Sequence, residues 1–256
     1  KREKMFELII LSLIQGITEF LPISSTSHLI LISKLSDFQN QNLSIDISLH
    51  IGSFLAVTFY FFKDIINFIK NKLLFFKILL ASIPIIIIGF ILIKFNFIDS
   101  LRSIKVIGWM TLLFAIVLYI SDRFEFKNKL SNNLDLKSVF FIGSMQVLAL
   151  IPGVSRSGVT ISAARFMKFN RYDSAKISFL LSIPTLGAVS FFGLFNIYNN
   201  NDLGLSITNL YAILFSFISS LITIRFFLNY IQKFSLNIFV FYRIILSTII
   251  LTIAYL

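Results

Sequence analysis

The sequence has no cysteine, two histidines, one tryptophan and few acidic residues. The absence of cysteine excludes disulfides, haem thiolates and zinc–thiolate sites, although it does not identify a compartment. Asp and Glu number 12 against 23 Lys and Arg, which gives a formal net charge of +11. Basic residues of a membrane protein usually mark cytoplasmic loops rather than contacts with nucleic acid, so we expect no nucleic-acid partner.

Apolar residues are abundant. They make up 57% of the 256 residues and include 31 Phe, and the mean hydropathy is +0.88. A soluble core of this size could not bury so much apolar surface, so the composition predicts an integral membrane protein with one membrane domain, residues 1–256. The first apolar stretch runs into Gln15, Glu19 and Pro22 without a small-residue cleavage site, so we expect no cleaved signal peptide.

Six apolar stretches approach the ~20 residues that a helix needs to cross the hydrocarbon core of a bilayer. Two others, roughly 5–21 and 137–151, are short or polar at their ends, and each is followed by Pro, a Ser cluster and another short apolar piece. We expect these two to form re-entrant helix pairs, which enter and leave the membrane on one side. The six expected crossings are residues 45–62, 73–93, 103–120, 173–198, 207–228 and 236–255.

The order of these elements repeats along the chain. Placing residue 15 on residue 146 pairs Gln15 with Gln146 and Ser24 with Ser155. Each half would contain three crossings, an odd number, so the second half must be inserted upside down relative to the first. We therefore predict an all-α fold with an inverted-topology repeat, whose two broken helices meet near the midplane; chance similarity among Ile- and Phe-rich helices is the alternative. The halves cover approximately residues 5–120 and 137–255.

Loop charges predict the orientation. In this topology, four loops on one side carry 14 Lys or Arg, against 7 on the other side. The side richer in Lys and Arg is usually cytoplasmic, so we expect both termini on the outer side. The basic loops are residues 63–77, 121–137, 165–176 and 225–233.

Two polar clusters interrupt the apolar chain, PISSTSH at residues 22–28 and PGVSRSGVT at residues 152–160. Hydrocarbon cannot satisfy hydroxyl, imidazole, guanidinium and broken-backbone groups, so such clusters persist at membrane depth only within protein or beside a water-filled cavity. We expect them to form the functional site together.

The first cluster offers acid, base and nucleophile candidates. Gln15 and Glu19 are four residues apart and share a helix face, while Ser25 and His28 are three apart on the helix that follows. Ser24 is expected to cap that second helix, whose free backbone N–H groups and positive dipole end form an anion site.

The second cluster offers a clamp for an anion. After a Pro–Gly break, Ser155 is expected to cap the next helix, and Arg156 places a planar, fixed positive charge beside its N-terminus. Ser157 and Thr160 are three apart and add hydroxyls on one face. With the first cluster, these groups suit a phosphate or diphosphate.

Glu19 and His28 add what binding alone does not require. A carboxylate can hold a divalent cation that bridges phosphate oxygens, and an imidazole can move a proton near neutral pH. The combination predicts phosphoryl transfer. For Asp46 and His50, at the start of a crossing, we expect solvated or helix-capping roles, and for Arg243 a structural role.

The stretch QGITEFLPISSTSH resembles the first signature of the bacterial undecaprenyl pyrophosphate phosphatases, also called bacitracin-resistance proteins. PGVSRSGVT is similar to the second signature, and MQVLAL and FLLSIPTLGA also fit the family pattern. The resemblance covers essentially the whole chain. It implies hydrolysis of undecaprenyl diphosphate to the monophosphate and inorganic phosphate, assisted by Mg²⁺ or Ca²⁺, at the outer face of the bacterial cytoplasmic membrane. The product would be the carrier lipid for peptidoglycan precursors; the oligomeric state stays open, with a homodimer among the options.

The resemblance also implies site residues. It places the catalytic positions on Glu19, Ser25, His28 and Arg156, and Gln15 beside Glu19 as a metal ligand. Gln15 stands where many members carry Glu, and Ser27 stands where the family usually has Gly before the histidine. The expected phosphate-binding hydroxyls are those of Ser24, Thr26, Ser155, Ser157 and Thr160.

Two mechanisms remain open at this point. In one, Ser25 is the nucleophile, His28 is its base or the acid toward the leaving phosphate, and Arg156 neutralises the transferred group. In the other, Glu19 activates water for direct attack. A lipid transporter or flippase on the same repeat is the alternative function, and it would need no nucleophile. A phosphatidic-acid-type phosphatase would require a Lys-rich first motif and a second histidine paired with a downstream Asp, which the sequence lacks.

Overall fold

The computed structural model describes residues 2–35, 43–70, 72–95, 101–130, 134–199 and 207–256. Within these ranges the backbone is helical apart from connecting turns and one isolated β-bridge between Asn128 and Phe169, so the predicted all-α class is confirmed. Residues 96–100 and 200–206, which connect predicted crossings, lie outside the described residues. The α-helices are α1 (Arg2–Thr18), α2 (Ser25–Leu35), α3 (Leu43–Tyr60), α4 (Phe62–Lys70), α5 (Lys72–Lys94), α6 (Ile104–Asp122), α7 (Leu136–Val147), α8 (Arg156–Phe166), α9 (Arg171–Asn199), α10 (Ile207–Lys233) and α11 (Asn237–Tyr255).

Among the described residues, six helices are long and apolar enough to cross a membrane: α3, α5, α6, α9, α10 and α11. They coincide with the six predicted crossings. The largest difference is the end of α10, which was expected at residue 228 and lies at Lys233. Phe227 and Ile231 are buried there, so packing continues the helix past the exposed Arg225.

The short helices also lie where the sequence predicted interruptions. α1 and α7 are each followed by a turn and then by a short helix, α2 or α8. The N-cap of α7 is Asp135, which accepts a hydrogen bond of 2.9 Å from the Ser138 backbone N–H. Hydrogen bonds from the Ser138 side chain and backbone hold the pKa of the Asp135 carboxyl below its usual value.

One predicted loop is helical. Residues 63–77 were expected to form a basic loop, but α4 and the start of α5 occupy most of this segment. In α4, apolar residues at Phe62, Ile65 and Ile66 alternate with Lys63 and Asp64, a spacing that suits an amphipathic helix at a membrane surface. Charge alone therefore marked this segment as a loop although its periodicity is helical.

Small residues allow the helices around the site to approach closely. α3 packs against α9 and α10, α1 packs against α10, and α5 packs against α7. A Cβ at Gly52 of α3 would lie 2.5 Å from the Ile213 carbonyl oxygen of α10. In the same contact, Ser53 Oγ hydrogen-bonds the hydroxyls of Ser216 at 3.2 Å and Ser220 at 3.0 Å. Such small, hydroxyl-bearing contacts stabilise helix pairs in lipid, where apolar burial drives association only weakly.

A charged network joins one end of the helices. Asp122, at the end of α6, accepts hydrogen bonds from Arg171 Nε at 2.6 Å and Arg171 Nη2 at 3.0 Å. The same carboxylate accepts the Leu236 backbone N–H at 3.1 Å and lies 3.6 Å from Arg165 Nε. The network therefore ties α6 to α8, α9 and α11 at a single carboxylate.

Candidate active site

Two turns of unusual backbone geometry precede α2 and α8. Ser24 has φ 74° and Ser155 has φ 72°, in the left-handed region that residues other than Gly seldom adopt. Each serine also caps its helix: Ser24 Oγ accepts the Ser27 backbone N–H at 3.4 Å, and Ser155 Oγ accepts the Gly158 N–H at 3.2 Å. The two expected caps are confirmed, whereas the positive φ angles had no signal in the sequence. Strained residues of this kind often occur at functional sites.

Arg243 of α11 holds the two turns together. Its side chain is fully buried, and its Nη1 donates to the Pro22 carbonyl at 3.2 Å and to the Val154 carbonyl at 3.1 Å. Nη2 donates to the Gly153 carbonyl at 2.9 Å, and Nε donates to the Thr111 carbonyl at 3.2 Å. The structural role that we expected for Arg243 is therefore a specific one, because a single guanidinium satisfies carbonyls of both broken segments.

The reactive groups of the two clusters meet across these turns. Arg156 Nη2 donates to Glu19 Oε1 at 2.9 Å, and the two side chains are 12% and 8% exposed. Arg156 Nη1 donates to the Ser178 carbonyl at 3.1 Å, which fixes the guanidinium plane. Ser25 Oγ donates to the other carboxylate oxygen, Glu19 Oε2, at 3.0 Å. The buried Glu19 carboxylate thus joins the Ser25 hydroxyl of the first cluster to the Arg156 guanidinium of the second.

A cavity of about 210 Å³ lies over this junction. Both polar and apolar residues line it, and the apolar ones include Ile85, Leu150, Leu186 and Val189. Val189 is 45% exposed, so the apolar lining continues onto the outer surface of the helices. Six of the predicted site residues are among the polar lining residues: Glu19, Ser24, Ser25, Thr26, Ser155 and Arg156.

Ser157 and Thr160 do not line the cavity. Ser157 Oγ donates to the Leu21 carbonyl at 2.8 Å, which joins the start of α8 to the first turn. Thr160 Oγ1 donates to the Arg156 carbonyl at 2.8 Å and lies 2.7 Å from the Ser178 hydroxyl oxygen. In this structure both hydroxyls support the backbone around Arg156 rather than face the cavity.

His28 also lies outside the cavity lining. Its Nδ1 is 2.7 Å from the Ser24 carbonyl oxygen and its Nε2 is 2.6 Å from Tyr242 Oη, against whose ring it stacks. Both ring nitrogens therefore have protein partners. Ser25, for which His28 was the expected base, instead hydrogen-bonds Glu19.

His50 of α3 lines the cavity, which corrects the expectation of a solvated or helix-capping role. Its Nδ1 is 2.8 Å from Gln15 Nε2, and the same amide nitrogen donates to Glu19 Oε2 at 3.2 Å. Gln15 thus lies behind the lining and bridges two residues that face the cavity. The sequence signal for a functional role of His50 is its position as a polar residue within an apolar span. The direction of its side chain depends on how α3 packs against α1.

The metal-ligand set is small. Among the described residues, no three His, Asp or Glu side chains cluster as metal ligands would. Glu19 is the carboxylate of the cavity lining, and both of its oxygens already accept hydrogen bonds. These residues suit a cation held by one carboxylate and mainly by substrate phosphate oxygens, as Mg²⁺ often is, and not an all-protein cage.

Comparison with known proteins places the chain in a family. Residues 8–249 match the family model described as bacitracin resistance protein BacA. The chain belongs to the BacA family. The resemblance inferred from the two signatures is thereby confirmed, and the BacA match includes both broken turns and the Arg243 contact that joins them.

Three of the relatives similar to this chain share one name. The chain is 46% identical over 252 residues to the undecaprenyl-diphosphatase of Pelagibacter ubique, with 98% of each chain covered. It is 38% identical over 264 residues to the undecaprenyl-diphosphatase of Jannaschia sp., with 98% of this chain and 99% of the relative covered. A protein of the same name from Saccharophagus degradans is 39% identical over 257 residues. The similarity therefore extends over nearly the whole membrane domain.

Proposed function

We propose that this chain is an undecaprenyl-diphosphatase, which hydrolyses undecaprenyl diphosphate to undecaprenyl phosphate and inorganic phosphate. The activity recycles the lipid carrier of peptidoglycan synthesis and gives resistance to bacitracin. Full-length similarity to relatives of that name supports the assignment. The observation that carries it is the Glu19–Arg156 pair, with Ser25 on the same carboxylate, beside a cavity lined by both polar and apolar residues.

The polar and the apolar lining residues suit the two parts of the substrate. The diphosphate lies against Arg156 and the N-termini of α2 and α8, whose free N–H groups and dipoles favour an anion. The prenyl chain follows the apolar lining past Leu186 and Val189 toward lipid. Such a lipid-open, amphipathic cavity matches a long prenyl diphosphate better than a water-soluble phosphate ester.

Glu19 acts as the base in this proposal. When the diphosphate binds, Arg156 donates its hydrogen bonds to phosphate oxygens instead of to Glu19. Glu19 Oε2, which lies 3.0 Å from Ser25 Oγ, can then accept the Ser25 proton. Ser25 Oγ bonds to the terminal phosphorus, the bond from that phosphorus to the bridging oxygen breaks, and undecaprenyl phosphate leaves with the electron pair. Water then cleaves the phosphoserine and releases inorganic phosphate. A water molecule held by Glu19 in place of Ser25 Oγ is the alternative nucleophile.

The remaining predicted residues support the reacting groups. Thr26 and the capping hydroxyls of Ser24 and Ser155 border the phosphate position. His28 positions the first turn through the Ser24 carbonyl and Tyr242. A divalent cation, Mg²⁺ or Ca²⁺, would be held by Glu19 and would neutralise charge on the diphosphate; Gln15 adds no second carboxylate.

We further propose that the fold is an inverted repeat in which α1, α2, α3, α5 and α6 correspond to α7, α8, α9, α10 and α11. Under this pairing, the contact between α1 and α10 in one half corresponds to the contact between α7 and α5 in the other. The contact between α3 and α10 likewise corresponds to the contact between α9 and α5. All four contacts occur. The equivalent residues Ser24 and Ser155 share φ within 2°. These recurrences support two re-entrant helix pairs that meet at the cavity, as in other inverted-repeat proteins.

We propose that the cavity opens to the periplasmic face of the bacterial inner membrane. Because the sequence has no cysteine, single-cysteine variants can be labelled without background. Thr26→Cys, at an exposed position of the cavity lining, should react in intact cells with a membrane-impermeant maleimide. Lys129→Cys, exposed in a predicted cytoplasmic loop, should react only after lysis. The reverse pattern would place the cavity on the cytoplasmic side. A homodimer stays a prediction.

The activity is tested by phosphate release from a long-chain prenyl diphosphate, with purified protein in detergent, with and without chelator. We expect Arg156→Ala and Glu19→Gln to lose about 10²-fold or more in kcat, because each removes a group that neutralises charge or accepts the proton. Thr248→Val, a hydroxyl deletion on the exposed part of α11, is the control. Trapping of a phosphoserine at Ser25 would select the covalent route, whereas full activity of Ser25→Ala would select water. A folded wild type that releases no phosphate would contradict the proposal and favour lipid transport.

A further inference from the structure

His50 is the imidazole that the structure places at the cavity, and the mechanism above does not use it. It lines the cavity with Glu19, Ser25 and Arg156. Its Nδ1 contacts Gln15, which does not line the cavity, so Nε2 is the ring nitrogen left to face the substrate. A polar group aimed at a diphosphate site is either a donor that attracts the anion or an acceptor that repels it. The tautomer of His50 therefore decides its role.

Gln15 selects the tautomer. Its amide nitrogen contacts both Glu19 Oε2, at 3.2 Å, and His50 Nδ1, at 2.8 Å. The carboxylate can only accept a hydrogen bond, so the amide group beside it must be the NH₂ and not the carbonyl oxygen. The second N–H of that NH₂ points to His50, whose Nδ1 must then be the acceptor. A neutral imidazole that accepts at Nδ1 carries its proton on Nε2.

We propose that His50 is a substrate-binding residue whose Nε2–H donates a hydrogen bond to the diphosphate, in an orientation and tautomer set by Gln15. The inference rests on the proposed phosphatase activity and deepens it. No proton is transferred from His50: Glu19 is the base, and the leaving phosphate is stable as an anion. The imidazole acts as a preorganised donor at the position where negative charge accumulates.

The same geometry explains why Gln suits position 15 of this chain. A carboxylate at that position could only accept, so it would draw the His50 proton onto Nδ1 and leave a lone pair on Nε2 facing the phosphate. It would also place a second negative charge beside Glu19. Gln15 and His50 therefore function as a pair, in which an amide fixes the donor that the substrate meets.

Kinetics test the donor. Phosphate release by the wild type is measured first, so that failure of the proposed activity is distinct from failure of this inference. We expect His50→Leu and His50→Asn to lower kcat/KM by roughly 10- to 100-fold, because neither places a donor at the Nε2 position. His50→Gln restores an N–H at about that reach and should stay within roughly threefold of the wild type. His50→Leu and His50→Asn should also raise the inhibition constant for inorganic pyrophosphate, and His50→Gln should raise it much less.

Ser53→Ala is the matched control. It lies on the same helix, and its hydroxyl bonds α10 instead of lining the cavity. We expect it to lower the melting temperature and to leave the pyrophosphate inhibition constant unchanged. Equal kcat/KM values for His50→Leu and His50→Gln would overturn the proposal, because a purely structural His50 would not distinguish them by donor position.

Nitrogen-15 NMR of the imidazoles tests the tautomer independently of activity. The sequence has two histidines, so the resonances lost in His50→Gln belong to His50. We expect its Nδ1 at the unprotonated position and its Nε2 at the protonated position, and in Gln15→Glu a shift of the proton to Nδ1 or a doubly protonated ring. A wild-type His50 protonated on Nδ1 would refute the role assigned to Gln15.

Discussion

Replacement of Arg243 by lysine tests how the two broken turns are held together. The guanidinium is fully buried and makes four hydrogen bonds to carbonyls of α6 and of both turns. Lysine retains the charge but concentrates its donors at one point on a flexible stem. Its ammonium can therefore satisfy the Pro22 carbonyl or the Gly153 and Val154 carbonyls, but the planar fork that reaches both turns is lost.

The expected loss follows from the hydrogen bonds that lysine cannot replace. If two of the four bonds to a charged donor are lost, at about 1.5–3 kcal/mol each, Arg243→Lys lowers the free energy of unfolding by roughly 3–6 kcal/mol. Arg243→Met should lose more, since all four carbonyls then lack this donor. Activity should fall about 10²-fold even where the protein is folded, because the turns carry Ser25 and Arg156 and a displacement near 1 Å has that effect.

The assay combines thermal unfolding in detergent with phosphate release measured well below the melting temperature. Arg225→Lys, an exposed position on α10, is the matched control and should behave as the wild type in both. If Arg243→Lys has the melting temperature and the kcat of the wild type, the planar guanidinium does not hold the turns and the reasoning fails. A loss of stability with unchanged kcat would show that the turns keep their geometry without it.

Three further substitutions probe the surrounding structure. Gly153→Ala should lower the melting temperature, since φ is 98° and the new Cβ would lie 2.5 Å from the Ile107 carbonyl oxygen; the backbone strain alone costs about 1–3 kcal/mol. Ser27→Gly should lower the free energy of chemical unfolding by about 1 kcal/mol, because Ser27 is helical and its hydroxyl is hydrogen-bonded. Phosphate release should not change, since Ser27 lies outside the cavity lining. Asp122→Asn should lower the free energy of chemical unfolding by about 1–3 kcal/mol, because Arg171 loses its ionic partner. The loss is limited because Arg171 is partly exposed to solvent. An unchanged unfolding midpoint would show that the network is dispensable.

The helical framework could be predicted because its signals are local. The six crossings follow from the length and hydropathy of single segments, and the caps at Ser24 and Ser155 follow from side-chain oxygens next to the first turn of a helix. The signatures around Glu19 and Arg156 were sufficient to indicate the family before any geometry was known. Segment α4 was missed because its basic residues were weighed more heavily than its helical spacing.

The direction of each polar side chain was less accessible. Spacing placed Ser25 and His28 on neighbouring positions of one helix, but the packing of α11 turns His28 to Tyr242 and leaves Glu19 as the partner of Ser25. His50 stood out as a polar residue within an apolar span, but the sequence could not show that it faces the cavity. Rotation of a helix about its own axis depends on contacts with helices far away in the chain.

By itself, the sequence determined the class of protein, the number and approximate limits of its membrane-length helices, the positions of the polar segments and the family to which it belongs. Each of these depends on composition or on residues within a few positions of one another. Only the tertiary structure decided that Glu19 meets Arg156 across 137 positions and that Arg243 reaches Pro22 across 221. Such pairings arise when buried polar groups, which lipid cannot satisfy, find partners on other helices during packing.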